Sequence, residues 1–356
     1  MTSTSPRWLQ DVQRLLPIRS QFVLSGNIRD SFISPVGTGN ALVPLTRCLW
    51  ESVRQQGFQF LLIFDPADGL RVYPDEPAAR DLATRLFDLK LCDGLQMISL
   101  ESLSKLMRKL SQEREARCAL VVDFASRLAR QHEQLTEAEH RFFVAAEKIS
   151  LQASPLVPQN TVGKPVYNPV IWLLNRAQDL PSWFTLDSER VASVVIARPD
   201  FETRRAAAGL LAPLFNGFAS ATPAAREQFL RSFTEGTEGM SLTALSDITE
   251  LADRQQLDVT AIDDAVRCYK VGALDNPWRK DYLRDKIRSA QSFIEERVKG
   301  QKPAVVKTLD ILKRSAMGLT GAHARSGANR PRGVLFFAGP TGVGKTELAK
   351  TLTQLV

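Results

Sequence analysis

The chain has 356 residues, of which 44% are hydrophobic and 24% are charged. This length and balance favour two folded domains over a disordered chain. No apolar run reaches the roughly 18 residues that a membrane helix needs, and the start lacks an apolar stretch of signal-peptide length. Four scattered cysteines and three histidines argue against a disulfide framework or a zinc site. We therefore expect a cytoplasmic protein without membrane contact.

The net charge of +7 is unevenly distributed. The segment from Pro277 to Lys350 holds sixteen basic and six acidic residues, whereas the remainder holds 30 basic and 33 acidic ones. Such asymmetry indicates a polyanionic partner, namely nucleotide phosphate, nucleic acid or an acidic protein. The alternative is a solvated basic helix face.

The first 200 residues alternate between apolar runs and helical patterns. Continuous apolar runs predict buried strands at 21–25, 58–64, 118–122, 170–174 and 191–197. Helical spacing falls at 7–19, 45–54, 77–90, 99–115 and 136–150, and loops are expected at 34–40, 65–69 and 153–169. Since the strands do not alternate in polarity, they predict a parallel sheet covered on both faces.

After Pro199 the pattern becomes helical. Helices are expected at 201–216, 223–233, 241–256 and 259–270, then a basic helical stretch over about 282–317 and a loop at 318–331. A strand at 333–338, a glycine loop and the start of a helix follow.

That glycine loop reads Gly339, Pro340, Thr341, Gly342, Val343, Gly344, Lys345, Thr346, and it matches GxxxxGK[ST] in full. An apolar strand precedes it, and a helix that contains Glu347 follows. Glycines let several N–H groups point at phosphate, and the helix start adds its positive dipole. Lys345 should reach the β- and γ-phosphates, and the Thr346 hydroxyl should hold Mg²⁺. The motif predicts ATP and Mg²⁺ as ligands; the alternative is a chance glycine turn.

By contrast, 36–40 lacks the GK[ST] ending and is expected to be a plain loop.

The residues around this loop resemble the opening of the second ATPase module of Clp-type AAA+ unfoldases and disaggregases. The resemblance covers about 60 residues, including Arg297-Val-Lys-Gly-Gln301, Arg330-Pro-Arg-Gly333 and Leu335 to Ala349. It implies that Val298, by side-chain packing, and Lys299, by its backbone, line the adenine pocket. A core valine is the alternative for Val298.

The first 270 residues look similar to an AAA+ module that has lost its catalytic groups. Asp123 lies where the family's acidic motif ends its third strand, but Phe124 replaces the catalytic glutamate. Asn175 matches the polar sensor, and Arg190 lies where the family can carry an arginine that reaches a neighbour's γ-phosphate. Asp123 and Asn175 have an alternative as polar residues of turns and caps, and Arg190 as a surface arginine.

The first-strand loop, Ser25-Gly-Asn-Ile-Arg-Asp30, has neither GK[ST] nor a glycine cradle. The resemblance therefore implies a catalytically silent first module.

Together these readings predict a P-loop NTPase-like α/β fold of the AAA+ type. Its parts are an α/β core at 1–200, a helical lid at 201–272, a linker at 273–292 and the start of a second module at 293–356. The second module's catalytic base, sensor and lid are expected beyond residue 356, so its catalytic residues stay unassigned.

The resemblance implies an ATP-driven, ring-forming remodelling motor, a homo-oligomer such as a hexamer that acts on protein substrates. The alternative is a nucleotide-sensing interaction protein in which ATP is a switch with little hydrolysis. A nucleic-acid partner is compatible with the basic segment, but no nucleic-acid motif supports it.

Overall fold

The computed structural model describes residues 6–131, 134–157, 164–185, 188–272, 280–316 and 334–355. The chain divides into two compact units. The first comprises Met1–Pro199 with Gly239–Thr243, and the second comprises Asp200–Glu238 with Ala244–Val356.

The first unit is an α/β structure in which helices alternate with strands. Its strands are β1 (Gln21–Gly26), β2 (Ser31–Val36), β3 (Gly39–Pro44), β4 (Phe58–Asp65), β5 (Gly69–Tyr73), β6 (Leu95–Gln96), β7 (Arg117–Val122), β8 (Val170–Leu174) and β9 (Val191–Ile196). Its helices are α1 (Arg7–Leu15), α2 (Leu45–Arg54), α3 (Pro77–Phe87), α4 (Leu100–Gln112), α5 (Glu137–Gln152) and α6 (Ser182–Thr185).

A seven-stranded sheet in the order β6-β5-β4-β7-β8-β1-β9 organises this unit. The five strands β4, β7, β8, β1 and β9 run parallel, whereas at one edge β5 pairs antiparallel with β4, and β6 pairs antiparallel with β5. Every residue of β7 and β8 is buried, as expected for strands covered on both faces. The predicted α/β fold with a mostly parallel sheet is therefore confirmed.

Two hydrophobic layers cover the sheet. Alternate strand residues such as Phe60 and Leu62 pack into the layer built by α3, α4 and α5, and their neighbours Leu61 and Ile63 pack into the layer with α1 and α2. Each fully buried large side chain contributes about 1.5–3 kcal/mol to folding. The carboxyl ends of the parallel strands thus meet along one well-supported edge.

Two parts of the first unit differ from the sequence expectation. The expected plain loop at 34–40 forms the end of a hairpin in which β2 pairs with β3, with the turn at Gly37 and Thr38. Strands β5 and β6 were not predicted. Both are short: β5 pairs with β4, the two-residue β6 pairs with β5 at the edge, and local periodicity encodes neither pairing.

The second unit is helical. It contains α7 (Phe201–Leu211), α8 (Pro223–Gly236), most of α9 (Leu242–Arg254), α10 (Ile262–Val271), α11 (Lys280–Arg297), α12 (Lys302–Ala316) and α13 (Lys345–Leu355). Edge-to-face contacts among Phe215, Phe229 and Phe233 hold the region around α8 together.

The helices α11, α12 and α13 share a small core of their own. Its buried members are Ala290, Ile294, Val298, Val305, Leu309, Leu348 and Leu352. The basic stretch expected at 282–317 is two helices, because the chain breaks at Gly300 with a φ of 75°. Part of the expected linker at 273–292 lies in α11, where Ala290 is buried in this core; residues 273–279 lie outside the described residues.

The strand expected at 333–338 is not formed. Residues 334–338 have no regular secondary structure; Leu335 and Phe337 pack on the small core, and Val334 and Phe336 are exposed. The alternation is that of a strand, but strand structure requires a hydrogen-bonded neighbour, and none pairs with this segment among the described residues. Gly333 and the expected loop at 318–331 lie outside the described residues.

Candidate functional site

The glycine loop before α13 adopts a backbone that other residues rarely take. Gly339, Gly342 and Gly344 have φ values of 152°, 87° and 89°. Side chains at these φ values would be strained, whereas glycine adopts them freely. Successive glycines therefore let this chain turn sharply into α13, whose first N–H groups have no intrahelical acceptor. Such a helix start is suited to binding an anion.

Lys345 lies at the first position of α13 and folds back over the loop. Its Nζ donates hydrogen bonds to the carbonyl oxygens of Gly339 at 2.8 Å and Pro340 at 2.5 Å. These two hydrogen bonds direct the charge of the exposed ammonium back onto the loop. A phosphate placed in the loop would meet this charge together with the helix N-terminus.

The loop rests on Val298, which is buried at the end of α11. A Cβ added to Gly344 would lie 3.3 Å from Val298 Cγ1, closer than a comfortable contact. The structure thus places the predicted adenine-lining valine directly against the last glycine of the loop. Lys299 follows it and is exposed.

Thr346 and Glu347 are exposed in the first turn of α13. The Thr346 hydroxyl is therefore accessible to a cation bound beside the loop, and a carboxylate at Glu347 is favourable near the positive end of a helix. Across the part of the chain that is described, no three His, Cys, Asp or Glu residues cluster as a metal site. A divalent cation would accordingly depend on the Thr346 hydroxyl and on oxygens that a bound phosphate brings.

The loop that follows β1 has a different construction. Gly26 has a φ of 100°, and a Cβ there would lie 2.7 Å from the Ile196 carbonyl oxygen. The loop then continues into the β2–β3 hairpin rather than into a helix. It therefore offers neither a run of glycines nor a helix start to a phosphate.

Asp30 ends this loop as a buried carboxylate, 5% exposed. Its Oδ1 accepts hydrogen bonds from the N–H of Ser31 at 2.8 Å and from the N–H and hydroxyl of Thr243 at 2.8 and 3.1 Å. Its Oδ2 accepts from Asn27 Nδ2 at 2.6 Å and from the Leu242 N–H at 3.1 Å. The carboxylate therefore caps the start of α9.

Asp123 lies at the carboxyl end of β7 and is paired with Arg29 of the β1 loop. Their side chains make two contacts of 2.7 and 3.0 Å, and Asp123 Oδ1 also accepts the N–H of Phe124 at 2.8 Å. The Arg29 guanidinium lies 3.8 Å from the centroid of the Phe124 ring. The Asp123 carboxylate, which resembles the family's metal ligand, is therefore already paired with an arginine of the same chain.

The two other predicted residues of the first unit lie at opposite edges of the sheet. Asn175 follows β8 at the same edge as Asp123, and its N–H donates to Ser126 Oγ at 2.8 Å. Arg190 precedes β9 at the amino edge, where its guanidinium donates to Tyr167 Oη at 3.2 Å. The structure therefore places Asp123 and Asn175 after the carboxyl ends of neighbouring strands, and Arg190 at the opposite end of the sheet.

Sequence reasoning missed the roles of Arg29 and Asp30. Their partners are 94 and more than 200 residues away in the chain, so no local pattern identifies them. The available signal was two adjacent opposite charges directly after a buried strand.

The buried thiols offer no nucleophile. Burial raises the pKa of Cys48 to about 12 and raises that of Cys118 well above its ordinary value. Both side chains therefore stay protonated and act as small apolar groups in the core.

Comparison with known proteins gives a family match and several relatives. Residues 2–197 match the family described as "AAA+ chaperone, N-terminal Rossmann-like domain". The ATP-binding subunit ClpE of the ATP-dependent Clp protease from Bacillus subtilis is 46% identical over 69 residues, which are 19% of this chain and 9% of ClpE. The chaperone protein ClpB from Meiothermus ruber is 45% identical over 69 residues, 19% of this chain and 7% of that protein. ClpB from Pseudomonas putida is 41% identical over 73 residues, 20% and 8% respectively.

The fold and the family match identify an α/β protein of the AAA+ type. The family match covers more than half of the chain, and the chain therefore belongs to the AAA+ chaperones with a Rossmann-like N-terminal domain. It spans less than a tenth of the length of each of these Clp relatives. Within the described residues, no helix combines the length and the apolar character needed to cross a membrane.

Proposed function

We propose that the chain binds ATP with Mg²⁺ at the loop Gly339–Thr346, as the first part of a second AAA+ module. The observation that carries the proposal is the loop itself. Three glycines at positive φ lead into α13, and Lys345 holds its ammonium over the loop carbonyls. A phosphate chain fits this arrangement because backbone N–H groups, a helix start and one cation converge there.

Each residue of the site has a defined task in this proposal. The loop N–H groups hold phosphate oxygens, Lys345 leaves the two carbonyls and donates to the β- and γ-phosphates, and Thr346 holds the cation. When bound, the cation supplies charge neutralisation between neighbouring phosphate oxygens. Val298 supports the loop from beneath, and Lys299 lies beside it in the chain. The catalytic base stays unassigned.

The first unit is catalytically silent in the same proposal. Asp123 forms an ion pair with Arg29, and Phe124 is at the position where the resemblance implies the catalytic glutamate. A carboxylate that is already bound to an arginine is a weak candidate for a metal ligand, because the arginine must first be displaced. Asn175 then serves the turn after β8, and Arg190 is an exposed arginine with a tyrosine partner.

At the level of the whole protein, the proposal is a Clp-like, ring-forming machine that remodels protein substrates. Two features support it: the family match and the names of the relatives, which are an ATP-binding subunit and chaperones. The silent first unit would supply contacts between neighbouring copies while the second module binds nucleotide.

The test measures ATP turnover and oligomer size, with and without nucleotide, of the whole protein that carries these residues and the complete second module. A motor requires turnover that is lost in Lys345→Ala and an oligomer that depends on nucleotide. The matched control is Lys350→Ala, which removes an exposed lysine from the same helix. Turnover that survives Lys345→Ala, or that falls equally in Lys350→Ala, would reject the assignment of the loop.

A second candidate is a nucleotide-sensing interaction protein in which ATP acts as a switch. The observation that favours it is the engagement of Asp123 by Arg29, which leaves the first unit without a free acidic group at that strand end. This candidate requires ATP binding at the loop, negligible turnover, and a partner affinity that changes with nucleotide.

A further inference from the structure

The carboxyl edge of the first unit contains two opposite charges that are both satisfied internally. Asp30 is almost fully buried, and its two oxygens receive five hydrogen bonds. Two of these donors, the N–H groups of Leu242 and Thr243, belong to the first turn of α9. Their residues are part of the same compact unit as the sheet.

The cationic member of the pair is Arg29, the neighbour of Asp30 in the loop. It binds Asp123 through two nitrogen atoms and stacks on Phe124. The Asp30 carboxylate lies at a helix start, where an anionic ligand would bind. The Arg29 guanidinium lies on a strand-end carboxylate, where the counter-cation of such a ligand would bind.

From this geometry we infer that Asp30 and Arg29 are a built-in substitute for a bound anion and cation. They fix the start of α9 to the β1 loop in every nucleotide state. Asp30 neutralises the first amides of α9, and Arg29 neutralises Asp123. The first unit is therefore held in one conformation by its own side chains, as a nucleotide-independent platform.

The charge of Asp30, and not only its shape, is essential to this inference. Three of its five hydrogen-bond partners are the backbone N–H groups of Ser31, Leu242 and Thr243, which can only donate. Both oxygens of a carboxylate accept from them, whereas a neutral amide would direct its own N–H₂ group at such a donor. Removing the side chain would leave these donors without acceptors in a buried place, which is costly. The space left behind would also suit a small carboxylate supplied from solution.

The inference extends the proposed silence of the first unit, and it does not depend on whether the loop at Gly339 binds ATP. The inference about Asp30 is tested by hydrogen exchange at the start of α9, whereas ATP binding at the loop is tested by nucleotide affinity, so the two can fail separately. A full-length Asp30→Ala variant should keep the ATP affinity of the parent chain.

The test is chemical rescue of Asp30→Ala by formate. We expect a fall of about 5–10 °C in the melting midpoint of the first unit. The amides of Leu242 and Thr243 should exchange hydrogen about tenfold faster or more, because their acceptor is lost. Formate should restore both quantities with a saturating concentration dependence, whereas sodium chloride of equal ionic strength should not.

Two variants complete the design. Asp30→Asn keeps the shape, so it should fold, melt earlier than the parent and gain nothing from formate, because the amide fills the site. Asp65→Ala is the matched control, since Asp65 Oδ1 also accepts two backbone N–H groups, from Ala67 at 2.7 Å and Asp68 at 3.2 Å, at a more open turn of the same unit. Formate should not act on it.

The inference is overturned if formate and chloride act equally on Asp30→Ala, or if Asp30→Asn melts with the parent chain. ATP-induced protection of Leu242 and Thr243 in the parent chain would also overturn it, because the start of α9 would then respond to nucleotide. Should Asp30→Ala fail to fold, the melting midpoint and amide exchange of Asp30→Asn decide.

Discussion

The loop after β1 and the loop before α13 both follow an apolar segment, yet their charged side chains have different kinds of partner. Residues 26–30 lead into a hairpin, and the charges of Arg29 and Asp30 are taken up by Asp123 and by the start of α9. Residues 339–346 lead straight into a helix, and their single cation, Lys345, contacts only backbone carbonyls in the described structure.

The difference shows what a phosphate site needs beyond a loop at the end of a strand. Glycine at several positions frees the N–H groups, and an immediate helix start adds its partial charge. A cation held by neutral carbonyls can be transferred to phosphate, because a charged acceptor binds an ammonium more strongly than a neutral one. An arginine that is already bound to a carboxylate has no such gain.

The largest expected effect comes from Lys345→Ala. Loss of the charge-assisted hydrogen bonds to phosphate should weaken ATP binding about 100-fold, by some 3 kcal/mol. The measurement is a fluorescence titration with an ATP analogue on the full chain. Lys350→Ala is the control and should bind within twofold of the parent, by the roughly 0.4 kcal/mol that a distant surface charge contributes. Equal losses in the two variants would mean that general charge, not the loop, attracts the nucleotide.

A moderate effect is expected from Gly344→Ala, which places a Cβ 3.3 Å from Val298 Cγ1 at a φ of 89°. The combined strain should weaken ATP binding about tenfold or more. Gly342→Ala tests φ strain alone, since it has a φ of 87° and nothing within 4 Å of the added atom.

The double variant Gly344→Ala with Val298→Ala separates the two causes. If Val298 truly supports the loop, shortening it should recover part of the affinity lost in Gly344→Ala. A double variant that is no better than the single one would show that the contact with Val298 does not limit the loop.

A smaller effect is expected from Arg29→Ala, and it falls on stability alone. Loss of the Asp123 pair and of the stacking on Phe124 should destabilise the first unit by about 1–2 kcal/mol, since the pair is only partly exposed. ATP affinity should stay unchanged. Arg85→Ala, which breaks an open pair with Glu115, is the control and should cost less than about 1 kcal/mol in urea unfolding. A loss of ATP affinity in Arg29→Ala would place nucleotide at the first unit.

The smallest effect concerns a third helix start, where Asp200 caps α7. Hydrogen bonds from the hydroxyl and the N–H of Thr203 lower the pKa of Asp200 below its ordinary value of 3.8. A lowered folded pKa means that the cap stabilises above the ordinary value and is lost as the pH falls through the folded pKa. Asp200→Asn should keep the cap but lose this acid dependence. The free energy of unfolding in urea should therefore fall less on acidification than in the parent, by about 1 kcal/mol or less. The same acid dependence in both proteins would assign it to other carboxylates.

The parallel sheet could be predicted because its strands are uninterrupted apolar runs, as in Val170–Leu174. The glycine loop could be predicted because its residues are contiguous and each has a defined conformational need. Both signals are local, because each consists of neighbouring residues whose types are typical of few other structures.

Features that depend on distant partners escaped prediction. The β2–β3 hairpin is carried by Ser34, Pro35 and Gly39, which are typical of loops, and it forms because the two segments pair with each other. The segment 334–338 has the alternation of a strand without a described neighbour to make it one. Asp30 and Thr243 are 213 residues apart, and only the folded chain brings them together.

We propose that this chain holds nucleotide at the loop before α13 and not at the loop after β1. Equilibrium dialysis of the full chain with radiolabelled ATP and Mg²⁺ tests it most directly, in parallel with Lys345→Ala. The parent should bind one ATP per chain, and the variant should bind none over the same concentration range. Two ATP per chain, or one that persists in Lys345→Ala, would contradict it.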